Sequence, residues 1–391
     1  MPLAIWALAI GTFGIGTTEF VIAGLLPQMA AEYGITIPQA GYLATSYALG
    51  VFLGAPLLII LGGRLPRKRM LAILMVLFVL GNLMTAAATS FPMALLGRVI
   101  TSLTHGAFIG IGSILAAELV APNKRVSAIA FMFSGMALAT LLGVPAGTWL
   151  SQFISWRATF YAITAIGIIG LLAVVYMIPD VGGSKGANVR QELAAFKNSR
   201  VLLAMGITVL GPASFFTSIT YIAPMMTEVA GFSESAVVWL MMAFGIGLFA
   251  GNSLGGRFAD RSLMTLLYIT LLAQAIVLFI FAYTAHSQWM SALCIALMAG
   301  FGFATVSPIQ KLVLDKAAAA GAPTLAAAVN IGLFNLGNAI GAWVGGWVIS
   351  AGFGLVAPNW AGGLLSLGAL ALALISGALD RREAMGLPQQ A

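Results

Sequence analysis

Three ionisable side chains stand inside long apolar runs of this sequence: Glu19 in GTFGIGTTEFVIAGLLP, and Arg98 and His105 in RVITSLTHGAFIGIG. An ionised group in mid-hydrocarbon costs on the order of 3 kcal/mol, so each needs a partner or a wet cavity. Taking the first run to end at residue 27 and the fourth to start at 93, Glu19 and Arg98 lie about 12 and 8 Å from the same surface at 1.5 Å per residue. His105 follows Arg98 by two helical turns on the same face. The expectation is one polar column in which Arg98 faces Glu19. A carboxylate whose distance from a guanidinium changes between two conformations takes up a proton in one and releases it in the other, which is the chemistry of proton coupling. Simpler roles stay open: Arg98 could reach the interface, His105 could bridge two helices, and Glu19 could form a purely structural ion pair.

Uncharged candidates surround these three. Asn330, Asn335 and Asn338 occur among the small residues of AAAVNIGLFNLGNAIGAWVGGW, and Asn335 and Asn338 share a helix face, so they could offer hydrogen bonds to a solute. Interhelical packing explains them equally well. Phe20, Tyr47, Phe108 and Tyr221 are candidate cavity aromatics, although most aromatics in such a chain merely pack.

Other chemistry has no visible machinery. The sequence has no Walker A lysine motif, no HExxH and no cysteine cluster, and GIGLFA at 245–250 has no βαβ context, so neither a cofactor nor an enzyme activity is expected. The single cysteine, Cys294, lies in an apolar run and reads as a small core residue.

The elements that must position these residues follow from composition. Hydrophobic residues make up 61% of the 391 and charged residues only 7%, against about a quarter charged in soluble domains. Apolar runs of roughly 20 residues recur, each long enough to cross hydrocarbon as a helix. Barrel-type alternation is absent, which leaves a helix bundle. Twelve spans are predicted, at about 4–27, 39–61, 70–89, 93–117, 127–150 and 157–178, then 201–226, 236–255, 263–283, 289–310, 324–350 and 361–379. The N-terminus reads as the start of the first span, not as a removed signal.

Sixteen of the 18 Lys and Arg fall in the connections after even-numbered spans or in the tail, and the opposite loops hold only Arg157. The positive-inside rule therefore puts both termini in the cytoplasm. The formal charge of +7 is accounted for by this topology and requires no nucleic acid; the partner surface is the bilayer.

The polar segment 179–200 divides the chain into an N-terminal bundle, 1–178, and a C-terminal bundle, 201–391. The halves are repeats. LGVPAGTW at 142–149 matches LGNAIGAW at 336–343 at an offset of 194, GGR at 62–64 recurs at 255–257, and Gly106 has Gly300 at 194. The expected fold class is an all-α membrane protein of 12 transmembrane helices in two pseudo-symmetric six-helix bundles. Parallel repeats of this kind build rocking transporters with a site between the halves.

These residues give the chain a resemblance to the major facilitator superfamily, and within it to the drug:proton antiporter branch with bacterial sugar-efflux and arabinose-efflux-type permeases. The resemblance covers essentially the whole chain. It rests on GTTEFVIAGLLP, on RVITSLTHGAFIGIG with Arg98, on GVPAG, on SWRATF at 155–160 and on GGRFADR at 255–261. It implies alternating access, proton entry from outside, efflux of a small molecule, a bacterial inner-membrane location and a monomer. It assigns Gly143, Pro145 and Gly147 to a bend with close packing, and Arg64, Asp260 and Arg261 to a cytoplasmic gate. Gly63 stands where the family usually has an acid, so any charge latch is better supported around Asp260 and Arg261. Neutral or amphipathic solutes such as drugs, sugars or nucleosides fit a cavity with few fixed charges. Proton-coupled uptake is the runner-up to export.

Overall fold

The computed structural model describes residues 1–62, 65–180, 198–259, 261–319 and 323–384. Arg64 and Asp260 lie outside these residues, as does most of the 179–200 connection.

Each apolar run is helical because lipid offers no other partner for backbone polar groups. Ten segments are long and apolar enough to cross a bilayer, and Tyr42–Gly62 and Pro323–Val348, of 21 and 26 residues, complete twelve. Span 1 is Leu3–Phe20 with Ile22–Tyr33, span 2 Tyr42–Gly62, span 3 Arg67–Ala86 and span 4 Phe91–Glu118. Span 5 joins Arg125–Leu138 to Val144–Phe153, and span 6 is Trp156–Met177. In the second half, span 7 is Ser199–Ile219 with Ile222–Glu228, span 8 Ala236–Ala259 and span 9 Leu263–Thr284. Span 10 joins Gln288–Ala304 to Val306–Ala319, span 11 is Pro323–Val348 and span 12 Ala357–Ala384.

Span 1 departs from the sequence expectation in a way that matters for the site. Pro27 does not end it; the helix continues through Pro27 to Tyr33 and stops at Gly34, whose φ of 62° favours glycine. The chain breaks instead at Val21, between Phe20 and Ile22. Glu19 is therefore deeper than residue 27 suggests.

Span 5 carries the bend that GVPAG implies. Pro145 has no N–H for the Leu141 carbonyl four residues earlier, and the preceding turn, Ala139–Gly143, widens to a π-helix in which Val144 N–H reaches Ala139 O. Gly143 and Gly147 then pack this span onto span 1, since a Cβ on either would lie 2.3 Å from Thr17 Oγ1 or 2.7 Å from Val21 Cγ2. The repeat partners behave alike. At Gly337 and Gly341 an added Cβ would lie 2.2 Å from Val209 O and 2.4 Å from Ala213 O, packing span 11 onto span 7. Equivalent glycines thus make equivalent contacts in the two bundles.

Span 2 packs against span 11 and span 5 against span 8, a pair of contacts related by the repeat, while spans 1 and 7 meet near the axis. Spans 1 and 7 are accordingly the most buried of the ten segments, at 78% and 72%, against 39% for spans 9 and 12. The end of the molecule opposite the basic loops is joined across the halves. Gln152 Nε2 donates to Glu234 O at 2.5 Å, and a Cβ at Gly41 of the first half would lie 2.1 Å from Tyr221 Oη of the second. Within the first half, Arg157 pairs with Glu32 and donates to Ala88 O at 2.6 Å, while Trp156 Nε1 donates to Glu32 at 2.5 Å. Trp149, Trp239, Trp289 and Trp343 are exposed, as lipid-facing aromatics are.

Candidate functional site

The depth of each helix decides who meets whom. Glu19 stands 14 residues before Tyr33, and His105 stands 14 residues after Phe91, so both are about 21 Å along their spans from the same end. Arg98 is only 7 residues from Phe91, about 10 Å. Glu19 accordingly meets His105, with Oε2 3.8 Å from Nδ1. The expected Glu19–Arg98 ion pair does not form, because span 1 runs six residues further than the sequence estimate.

Arg98 is enclosed by other groups. Nη1 donates to Thr18 O at 2.8 Å and to Thr18 Oγ1 at 3.1 Å. Its Nε donates to Leu43 O at 3.3 Å, and the guanidinium stacks on Tyr47, 4.2 Å from the ring centroid. Thr18 Oγ1 passes the network on, donating to Asn82 Oδ1 at 2.7 Å. Tyr47 Oη lies 3.2 Å from His105 Nδ1. The polar column therefore exists, but in the order Arg98, Tyr47, His105, Glu19. Thr18 and Asn82 belong to it and are not among the sequence candidates, because the sequence alone does not show which uncharged side chains of a span face the column.

The column ends on the other half of the molecule. Asn338 of span 11 donates from Nδ2 to Glu19 Oε1 at 3.4 Å. Every side chain from Arg98 to Asn338 is buried, Glu19 at 8% exposure being the most open. Phe20, beside Glu19, also crosses the boundary, with its ring 5.8, 6.1 and 6.0 Å from those of Phe216, Phe244 and Phe303. A carboxylate and its neighbouring aromatic thus sit on the joint along which the halves meet.

The other named residues are placed as follows. Asn335 is one turn before Asn338, buried, with Nδ2 donating to Ile331 O at 3.0 Å. Asn330 is tied into its own bundle, accepting from Thr208 Oγ1 at 2.7 Å and donating to Gln310 Oε1 at 2.5 Å. Phe108 is inside the first bundle, its ring against Gly11, so it is separated from the joint. Tyr221 donates to Ala342 O at 2.8 Å and presses on Gly41 at the far end from the basic loops. Arg261 is exposed and lies over the Phe258 ring, 5.7 Å from its centroid. At the basic end, ion pairs join Arg67 to Glu118 and Lys316 to Asp380.

A groove of about 420 Å³ lined by Ser113, Glu118, Arg125 and Ile129 lies near that basic end. Glu118 is 13 residues beyond His105 on one helix, roughly 20 Å away, so the groove is separate from the column.

Known proteins are similar to this chain over most of its length. The inner membrane transport protein YdhP of Escherichia coli (strain K12) is 42% identical over 348 residues, 89% of each chain. The chloramphenicol resistance protein of Streptomyces lividans is 33% identical, covering 95% of this chain and 96% of that one. A crystal structure of a D-xylose-proton symporter superposes with a TM-score of 0.75 at 18% identity, over 95% of this chain and 96% of that one, a likeness of fold. Residues 8–333 match the family model described as Major Facilitator Superfamily. The chain is a multi-pass membrane protein that belongs to the major facilitator superfamily, a family of transporters and not of enzymes.

Proposed function

We propose that the protein is a proton-coupled exporter of a small neutral or amphipathic solute, a drug, sugar or nucleoside, working by alternating access. The observation that carries this reading is the buried Glu19 carboxylate on the joint, bonded to Asn338 of the opposite half. When the halves part, that bond breaks and the surroundings of the carboxylate change, so its proton affinity differs between the two access states. His105 beside Glu19, with Tyr47 behind it, is the relay, and Arg98 supplies the fixed positive charge at the column's end. One proton moving down 100 mV supplies about 2.3 kcal/mol, enough to hold a neutral solute roughly 50-fold out of balance.

Export is favoured over uptake by the 33% identity to a protein named for chloramphenicol resistance. The loop charges favour both termini in the cytoplasm of a bacterial inner membrane, which makes the joined end of the molecule the outward one. The reading takes the monomer as the working unit.

Everted membrane vesicles test it. Glu19→Gln, which keeps the shape and removes the titrating group, abolishes solute-dependent proton release while solute exchange without a gradient persists. Unchanged coupled transport removes Glu19 from the mechanism, and solute movement in the opposite sense under the same gradient establishes uptake instead.

A further inference from the structure

The three asparagines of span 11 differ in one respect. Asn330 uses both ends of its amide inside its own bundle. Asn335 and Asn338 use only the nitrogen end, toward Ile331 O and Glu19 Oε1. The Oδ1 atoms of both are buried with no hydrogen-bond partner among the described residues. A buried acceptor left unpaired is costly, so two of them side by side ask for a ligand.

Both lie on the face of span 11 that meets the first half. Asn338 reaches Glu19 of span 1, and a Cβ at Gly332, one turn before Asn335, would lie 3.4 Å from Phe52 of span 2. Residues three apart on a helix are neighbours, their Cβ atoms about 5–6 Å from one another. We propose that the paired Oδ1 acceptors of Asn335 and Asn338 form a solute subsite that selects molecules presenting two hydroxyl or N–H donors on adjacent or alternate atoms.

The chemistry also excludes. Two carbonyl oxygens beside a carboxylate repel a solute carrying its own carboxylate or phosphate, and a molecule without donors leaves both acceptors unpaired. The class is therefore neutral or cationic hydroxylated solutes, such as those with a diol. Asn338 is shared by the two sites, its nitrogen serving Glu19 and its oxygen the solute. The inference rests on the reading of this joint as a transporter's solute site, but it does not depend on proton coupling.

Titration calorimetry on the purified full chain in detergent, at one pH and with no gradient, tests the subsite separately from that coupling. The probes are chloramphenicol, D-xylose and uridine, each against its O-acetylated or O-methylated form. At least one parent is expected to bind, with its blocked form at least tenfold weaker. Asn335→Ala and Asn338→Ala each weaken that parent by about tenfold, the loss of one hydrogen bond, and bring parent and blocked form closer together. Asn335→Ser, which keeps an acceptor, retains most of the discrimination and guards against a folding defect. Asn330→Ala lowers thermal stability and leaves the ratio of parent to blocked form unchanged. Blocked forms that bind as well as their parents, no binding of any parent, or alanine variants that preserve the discrimination overturn the assignment.

Discussion

Gly245→Ala isolates the contact between the halves. The glycine is in span 8, and a Cβ there would lie 2.5 Å from Thr140 O and 2.9 Å from Leu141 Cα of span 5. Both obstacles are backbone and cannot rotate aside. Overpacking of this kind costs about 2 kcal/mol, and it is felt only while spans 5 and 8 touch. A state in which they part escapes it, so the ratio of parted to joined molecules rises about 30-fold at 1.4 kcal/mol per decade. Gly251→Ala is the matched control. Its Cβ would lie 1.9 Å from Gly300 O, but spans 8 and 10 belong to one bundle, so both states carry the strain. Spin labels on Gln152→Cys and Glu234→Cys report the joint, since Gln152 Nε2 is 2.5 Å from Glu234 O, and the native Cys294 is buried. Pulsed dipolar spectroscopy then gives the two populations. A Gly245→Ala ratio within threefold of the parent, or an equal change in Gly251→Ala, refutes the reasoning.

Two further substitutions probe the column and the bend. Arg98→Lys gives up the stacking on Tyr47 and at least one of the bonds to Leu43 O and Thr18, so thermal unfolding in detergent should show a loss of about 2 kcal/mol. Pro145→Ala restores a donor for Leu141 O and lets the π-turn tighten, adding about 1 kcal/mol of helix stability. Its turnover in reconstituted vesicles should fall while solute affinity stays level, and faster turnover would deny the bend a part in the movement.

Span number and order were legible because run length and loop charge are one-dimensional properties. The glycine repeats were legible too, since an offset of 194 residues recurs only if the halves are copies. Glu19 and His105 stood out because an ionisable group in hydrocarbon is costly and needs a partner or a wet cavity. Their pairing did not. It depends on where span 1 ends, and proline at 27 looked like a terminus although the helix that starts at Ile22 continues through it to Tyr33. Arg98 was assigned to the nearest opposite charge, but a guanidinium with five donors can turn to carbonyls instead, here those of Thr18 and Leu43, with its Nη2 buried and without a hydrogen-bond partner among the described residues. The same limit applies to Asn330 and Asn338, identical in type and helix and eight residues apart, whose roles separate only when their neighbours are known. The place of Phe108 depended on helix rotation: only the fold shows that its ring faces Gly11 within the first bundle.

The repeat preserves scaffold and discards chemistry, and the asymmetry bears on how such a machine could couple. At the 194 offset the glycines at 143 and 147 reappear as Gly337 and Gly341. Glu19, Arg98 and His105 correspond to Ala213, Ala292 and Ala299, whereas Asn335 and Asn338 correspond to Leu141 and Val144. At the joint, the buried ionisable groups Glu19, Arg98 and His105 thus belong to one bundle and the unpaired Oδ1 atoms of Asn335 and Asn338 to the other. A proton site held entirely within a rigid bundle would keep the same neighbours in every access state, and so would a solute site. Splitting the two sets across the joint makes each depend on the approach of the opposite half, and Asn338 belongs to both. A solute donor drawing on Oδ1 polarises the amide and strengthens its N–H bond to the ionised Glu19, while protonation of Glu19 removes the charge that this bond serves. Under the proposed function and subsite, solute and proton then compete through a single side chain, which is the relation an exchanger requires.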